Sequence, residues 1–333
     1  MRRDLRSRLR PMNFTDILDE TIELYKSNFI LLVGIAAIVY IPYYLLNAAL
    51  PQPMYNAKTD PTQFVSSMIA IYTLTILFYV IVHPIATGAL TLAISERYLS
   101  KEITIKECYR RILQKRVILP FMVANLLVGA VIFSIFIVVG IIVGGSIGLS
   151  FIMDNVSTSV LVLVISLCVI IGTAAIWFIV HSIVRFTLVA PVFIVEMNGA
   201  KNSLKRSWTL MKGNVGKALG LLIVVGIVIS VISGVVAGPA AIMSGMNASA
   251  GKEPSSIWIA LSTIISALVS TLTAPLSSIV TILLYYDIRI RKEGFDLELL
   301  AKELDDRTRE MGASDITALP QEQIPVQNPT DSE

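Results

Sequence analysis

Residues Val184–Gly220 read VRFTLVAPVFIVEMNGAKNSLKRSWTLMKGNVGKALG. This stretch joins the end of one apolar run to the start of the next through a basic segment. Within that segment the spacing i, i+3, i+4, i+7 marks one face of a helix, and it is occupied by Leu204, Ser207, Trp208 and Met211. Weaker versions of the same succession lie on both sides, and together they predict a multi-pass membrane protein.

Six apolar runs are each long enough to cross a membrane. Apolar residues make up 55% of the chain and charged residues 15%, whereas about 25% of an ordinary soluble domain is charged. A helix needs roughly 20 residues to cross the hydrocarbon core. The sequence therefore predicts an all-α protein with six transmembrane helices, in the runs Phe29–Leu50, Phe64–Ser95, Val117–Met153, Asn155–Val184, Gly213–Gly251 and Pro254–Tyr286.

Helical stripes of apolar residues recur at intervals of about 90–100 residues, beginning at Phe14, Ile105, Leu204 and Leu297. Each repeat would consist of an amphipathic helix, a span, and a second span broken by a proline. We therefore predict three helical-hairpin repeats with cytoplasmic amphipathic helices. The predicted segments are an N-terminal cytoplasmic segment (1–28), a membrane domain (29–288), an amphipathic helix (289–304) and a disordered tail (305–333).

Capping residues precede three of these stripes. Asn13 with Asp16, and Thr104 with Glu107, have the spacing of a capping box, and Asp296 could cap the last helix. In the third apolar run, Gly140, Gly144 and Gly148 form a ridge of small residues, which predicts close packing against another helix of the protein.

The basic residues are distributed unevenly between the two sets of loops. Of the 27 lysines and arginines, all but Lys58 and Lys252 fall at the termini or in the connections after even-numbered spans. Under the positive-inside rule this distribution places both termini in the cytoplasm. Juxtamembrane Lys and Arg are explained by anionic lipid headgroups, so no nucleic-acid partner is predicted.

Arg185 and Glu196 are the ionisable residues expected to be costly at membrane depth, which makes them candidates for a functional site. On one continuous helix they would lie about 16 Å apart. They could pair only if Pro191 breaks the helix, and otherwise Asp287 or Glu96 could be partners. Both a structural network between helices and a site for a substrate or headgroup remain open.

His83, His181 and Asp287 complete the candidate polar site. His83 precedes Pro84, and its ring could bond to a carbonyl that the proline frees; a proton relay or ligand contact is the alternative. Two cysteines, Cys108 and Cys168, suit neither a disulfide nor zinc. The sequence predicts no metal and no cofactor, and it shows no catalytic motif of the phosphate-loop, HExxH or GxSxG type.

A second candidate surface comprises basic and aromatic residues of the cytoplasmic helices. These residues would contact anionic headgroups, or alternatively a membrane or cytoplasmic protein partner; they are Arg110, Arg111, Lys115, Lys205, Arg206 and Trp208. Trp208 suits an anchor at the membrane interface.

Three motifs carry a resemblance to a known family. They are Arg10–Phe14 with Ile17–Asp19 and Leu24–Tyr25, then Arg185–Phe186 with Ala190–Pro191 and Ser203–Trp208, and finally Leu284–Asp296 (LYYDIRIRKEGFD). Over about residues 10–302 the chain resembles the membrane domain of some bacterial glycerophosphoryl diester phosphodiesterases, which also occurs in many stand-alone proteins of no assigned role. The resemblance implies a prokaryotic plasma-membrane protein. It implies no phosphodiesterase activity, because the fused enzymes carry their chemistry on a separate soluble domain.

These observations favour a non-enzymatic accessory or assembly component of a membrane complex or lipid-linked pathway. The alternative is a small transporter or exporter of lipid-like or peptide cargo, because repeats and interrupted helices recur in transporters.

Overall fold

The computed structural model describes residues 10–50, 61–152, 158–197, 199–249, 256–298 and 301. Within these ranges the ordered elements are all helical, and no strand occurs. The predicted all-α class is confirmed. The predicted disordered tail (305–333) lies outside the described residues.

The helices of the described ranges are numbered in chain order. They are α1 (Phe14–Ser27), α2 (Phe29–Ala49), α3 (Pro61–Leu77), α4 (His83–Tyr98), α5 (Ile105–Ile112), α6 (Lys115–Ile152), α7 (Thr158–Phe186), α8 (Val189–Glu196), α9 (Ala200–Met211), α10 (Val215–Ser249) and α11 (Ser256–Glu293), with a π-helical turn at Phe78–Val82 between α3 and α4.

Six stretches within these helices are long and apolar enough to cross a membrane, as the sequence predicts. They are Phe29–Ala49, Phe64–Tyr98, Lys115–Ser134, Val169–Glu196, Val215–Val236 and Ala260–Glu293. The chain is therefore a multi-pass membrane protein.

The last span is the centre of the bundle. Helix α11 contacts α1, α2, α4, α8, α9 and α10, and 56% of its apolar window is buried, against 11% for α10. Tyr285 and Tyr286 are fully buried near its end. Helix α1 lies along α11, from Met12 beside Asp287 to Tyr25, whose hydroxyl donates to the Leu272 carbonyl at 2.9 Å.

Two of the predicted caps are found: Asn13 and Asp16 form a capping box at the start of α1, and Thr104 caps α5. The Asn13 N–H donates to the Asp16 carboxylate at 3.0 Å, and Thr104 Oγ1 accepts the Glu107 N–H at 3.3 Å. The predicted Asp296 cap is wrong. Helix α11 continues past residue 288 to Glu293, the chain turns at Gly294 (φ +62°), and Asp296 lies inside the helical turn that follows.

A break at a proline is predicted in the second, fourth and sixth spans. The structure shows it in the second and fourth. The break in the fourth span falls at Thr187–Leu188, one turn before Pro191, because a proline ring clashes with the carbonyl four residues earlier. In the second span a π-helical turn precedes Pro84. Helix α11 runs without interruption through Pro275, so the break predicted in the sixth span is wrong.

Glycines allow close contact near α5, but not at the predicted ridge. A Cβ at Gly34 would lie 2.6 Å from Ile105 Cδ1, and one at Gly88 would lie 3.1 Å from Phe121 Cε1. By contrast, Gly140 and Gly144 are exposed, and no atom of the described residues lies within 4 Å of an added Cβ at either position. Their predicted packing inside the protein is therefore wrong, and the surroundings of Gly148 lie outside the described part of the chain.

Cys108 is a buried free thiol on α5. Burial, with a smaller contribution from the neighbouring Glu107 carboxylate, raises the pKa of its thiol from 9.0 to about 11. The folded state therefore favours the protonated thiol. Its contribution to stability is complete below pH 9 and is lost as the pH rises towards 11.

We therefore expect Cys108 to react with a maleimide at pH 8 at least about 100-fold more slowly than an exposed cysteine, because the thiolate is the nucleophile. The measurement is the labelling rate in a Cys168→Ser background, where only Cys108 can react. The control carries Thr15→Cys, an exposed position on α1, with both native cysteines replaced. Equal rates in the two proteins would refute the burial of Cys108.

Candidate functional site

Asp287 lies at the end of the last span and holds three parts of the chain together. Its carboxylate is fully buried. It accepts the Met12 N–H at 2.8 Å and Lys217 Nζ at 2.6 Å, and it accepts Arg291 Nε at 2.9 Å from the next turn of its own helix. We call Met12, Lys217, Asp287 and Arg291 the aspartate clamp.

The two cations of the aspartate clamp also bond to the backbone carbonyl of Met12. Lys217 Nζ donates to the Met12 carbonyl at 2.6 Å, and Arg291 Nη2 donates to the same oxygen at 2.8 Å. Both backbone groups of Met12 and both carboxylate oxygens are thus bonded. A buried charge persists when it is paired and its remaining hydrogen-bonding capacity is filled, so this cluster has the character of a structural joint.

Glu196 belongs to a second, separate network. Its carboxylate accepts the Tyr285 hydroxyl at 3.0 Å and Arg206 Nε at 3.2 Å. The Arg206 guanidinium also pairs with Glu293 at 2.6 Å, and Arg289 Nε donates to Glu293 at 3.0 Å. We call Glu196, Arg206, Tyr285, Arg289 and Glu293 the glutamate network; it joins α8, α9 and α11.

The glutamate network keeps Arg206 charged. Partial burial by itself lowers the pKa of its guanidinium, but Glu196 and Glu293 outweigh that effect and raise the pKa above its ordinary value. Arg206 is predicted from sequence as a contact for lipid or partner, and the structure instead engages its guanidinium with two carboxylates of the same chain.

Arg185 does not meet Glu196, and its contacts are aromatic. Its guanidinium lies 4.2 Å from the centroid of the Trp208 ring, and the Ser207 hydroxyl donates to the Arg185 carbonyl at 2.7 Å. Arg185 Nε is buried without a partner among the described residues. His181 joins this group, stacked on Trp177 at 5.1 Å and edge-on to Trp208 at 6.4 Å. The contacts of Arg185 and His181 with Trp208 fix α9 against the end of α7.

His83 lies apart from both networks. Its ring centroid is 5.4 Å from that of Tyr79 and 6.2 Å from that of Phe78. No hydrogen bond joins the ring to a residue that the structure describes, so the predicted bond to a freed carbonyl is wrong. The Thr87 hydroxyl instead donates to the carbonyls of His83 and Pro84, each at 3.1 Å.

A third ion-pair group secures α5 to the end of α4. Arg111 pairs with Glu96 at 3.0 Å and with Glu107 at 2.5 Å. Hydrogen bonding to Glu107, with the charges of both carboxylates, raises the pKa of Arg111. Arg111 is therefore engaged by two carboxylates, although 46% of its side chain remains exposed.

The other predicted contacts for lipid or a partner are more open. The Arg110 side chain is 72% exposed, at 3.9 Å from Glu107, and Lys115 and Lys205 are exposed. Trp208 is 37% exposed. Of the six predicted contact residues, these four and Arg111 are exposed, and Arg206 is the least exposed, with 32% of its side chain accessible.

Several residues of the two networks are absent from the sequence-based candidates. Lys217, Arg289, Arg291, Tyr285 and Glu293 all contribute, and most of them lie in the motif Leu284–Asp296. The spacing i, i+4 from Asp287 to Arg291 and from Arg289 to Glu293 was the available signal, since such pairs face each other on a helix. The pairing of Lys217 with Asp287 spans 70 residues and has no local signal.

Within the described ranges, no group of three or more His, Cys, Asp or Glu side chains is placed to hold a metal ion. What the residues do form is a set of ion pairs and hydrogen bonds at one end of the bundle. We call it the charged end; it contains the aspartate clamp, the glutamate network and the group around Arg111. The fold and site thus define a class: an all-helical, multi-pass membrane protein whose spans are joined at one end by ion pairs.

Comparison with known families assigns the chain within that class. It belongs to the family described as a domain of unknown function (DUF7847), which it matches over residues 12–286. Searches of curated proteins and of solved structures found no match.

Proposed function

We propose that this protein is a non-enzymatic accessory or assembly component of a membrane complex or lipid-linked pathway. The observation that carries the proposal is that both carboxylates are paired with cations of the same chain: Asp287 with Lys217, and Glu196 with Arg206. A site that binds and releases a charged cargo needs polar groups free to exchange partners. Here the carboxylates predicted as a candidate site bind the chain's own cations and join helices to one another.

The charged end also offers a surface for docking. Arg110, Lys115 and Lys205 are exposed on α5, α6 and α9, while Arg111 and Arg206 on the same helices are held by carboxylates. Fixed helices with outward-facing cations suit a partner with an acidic surface, because complementary charge steers association and fixes its orientation.

We place the charged end in the cytoplasm of a prokaryotic cell and the protein in its plasma membrane. The distribution of basic residues supports this orientation through the positive-inside rule. The resemblance to the membrane domain of glycerophosphoryl diester phosphodiesterases supports the membrane assignment. All three of its motifs contribute residues to the charged end, as Met12, Arg206 and Asp287 illustrate.

The transporter alternative draws support from the interrupted spans. The second span contains a π-helical turn, and the fourth breaks at Thr187–Leu188. Such interruptions recur at transporter binding sites, and Arg185, with its Nε partnerless among the described residues, lies beside the second one.

Charge reversal at the exposed surface separates the two functions. For an assembly component we expect Arg110→Glu with Lys205→Glu to lower recovery of the partner by at least about tenfold, because like charges would then face each other. The measurement is affinity purification from native membranes in mild detergent, with quantitative mass spectrometry of the proteins recovered.

The matched control is Lys58→Glu with Lys252→Glu, which makes the same charge change in loops predicted on the opposite side of the membrane. Loss of the partner in the control, or its full retention in the Arg110/Lys205 variant, would contradict docking at the charged end. Arg185→Ala tests the alternative. If it preserves folding and the partner but abolishes a cargo-dependent phenotype, the transporter is favoured.

A further inference from the structure

A cationic cleft lies at the charged end where α1 meets α2, opposite the end of α4 and the start of α5. Its volume is about 800 Å³. Its lining residues include three basic side chains, Lys26, Arg97 and Lys106, and no acid among those described. None of the three belongs to either network of the candidate site.

Among the residues that the structure describes, no carboxylate forms an ion pair with any of the three cations, and two acids next to them in sequence are engaged elsewhere. Glu96 and Glu107, which adjoin Arg97 and Lys106, are both held by Arg111. Lys26 and Lys106 are exposed and form no ion pair with any residue that the structure describes. The cleft therefore carries a concentrated positive charge that no carboxylate of the described ranges neutralises.

Arg97 adds a third positive charge at the wall of the cleft. Its Nη2 donates to the Ile103 carbonyl at 3.2 Å, which holds the guanidinium in place. The first turn of α5 begins at the same cleft. There Thr104 and the first two residues of the helix, Ile105 and Lys106, line the cleft. A phosphate oxygen is the acceptor that suits such donors, since phosphate pairs with guanidinium, ammonium and helix N-termini.

The other side of the cleft is apolar and belongs to the start of the first span. Phe29 and Ile30 line it, and they are 42% and 84% exposed. Because the first span begins at Phe29, the cleft opens from the three cations onto side chains that face the bilayer, so a lipid could place its phosphate among the cations and an acyl chain along Ile30. We propose that the cleft binds the phosphate headgroup of an anionic phospholipid.

The test is a titration of the purified full-length protein with phosphatidylglycerol in detergent, with bound lipids counted by native mass spectrometry. We expect Lys26→Gln with Lys106→Gln to weaken binding about 30-fold, from the worth of two lysines at an anionic lipid surface. Both positions are exposed, so the variant should fold normally. The matched control is Arg110→Gln with Lys205→Gln, which removes the same charge outside the cleft and should change the affinity by less than about threefold.

Three outcomes would overturn the proposal. Equal weakening in the control would show attraction by net charge alone. Equal binding of phosphatidylcholine would show that the cleft does not select an anionic lipid. Displacement of the lipid by millimolar inorganic phosphate would assign the cleft to a soluble phosphate compound. The assay contains no protein partner, so its result is independent of the docking function proposed above.

Discussion

Replacing Asp287 with asparagine should lower the free energy of unfolding by about 3 kcal/mol, because removing one partner of a buried ion pair leaves the others uncompensated. Lys217 and Arg291 would both lose their carboxylate, while the Asn side chain keeps the original shape. We place the effect at the lower end of the usual range because Lys217 and Arg291 are 21% and 40% exposed, so water can solvate part of the released charge.

The measurement is unfolding of the purified protein by titration with SDS in mixed micelles. Asp19→Asn is the matched control, an exposed carboxylate on α1 whose loss should stay within about 0.5 kcal/mol. The combination of Asp287→Asn with Lys217→Met should be less destabilising than the sum of the single changes, by about 0.5–3 kcal/mol for groups in contact. Simple additivity would argue against the aspartate clamp.

Replacing Phe121 with alanine should destabilise the protein by about 3–5 kcal/mol, the usual loss for a buried aromatic side chain. Phe121 is fully buried on α6, with its ring centroid 5.1 Å from that of Phe193 on α8. In a membrane, helices are held together by packing rather than by exclusion of water. Removing the Phe121 ring would leave a cavity and lose its packing contacts. Phe133→Ala on the same helix is the control, because Phe133 is 66% exposed.

Gly88 allows a test of another contact of Phe121, the one between α4 and α6. A methyl group at Gly88 would lie 3.1 Å from the Phe121 ring, so Gly88→Ala should cost about 1 kcal/mol in the wild type through overpacking. In the Phe121→Ala background the same methyl group would enter the cavity, and we expect its effect to be neutral or stabilising. A destabilisation of equal size in both backgrounds would refute the packing of α4 on α6.

The spans could be predicted from sequence because crossing a bilayer imposes a length and a composition on each helix. Phe29 marks the start of the first span in both the prediction and the structure. Local rules also located the start of α1, since Asn13 and Asp16 cap it as their spacing indicates. Pro191 does break the fourth span, but the break lies one turn earlier, at Thr187, because a proline clashes with the carbonyl four residues before it.

The pairing of the charged residues could not be predicted, because it depends on which helices become neighbours. Arg185 and Glu196 were natural candidates for each other, yet Glu196 meets Arg206 on α9 and Arg185 meets Trp208. The cationic cleft was missed for the same reason. Lys26, Arg97 and Lys106 come from separate parts of the chain, and each by itself looks like an ordinary juxtamembrane cation.

The aspartate clamp has a consequence for biogenesis. The Met12 N–H and its acceptor Asp287 are 275 residues apart, and synthesis at about 5–20 residues per second separates their emergence by tens of seconds. During that interval Lys217 enters the fifth span without its carboxylate, and α1 has no central helix to pack on. A chain whose synthesis stops before Asp287 therefore presents both defects together at the charged end.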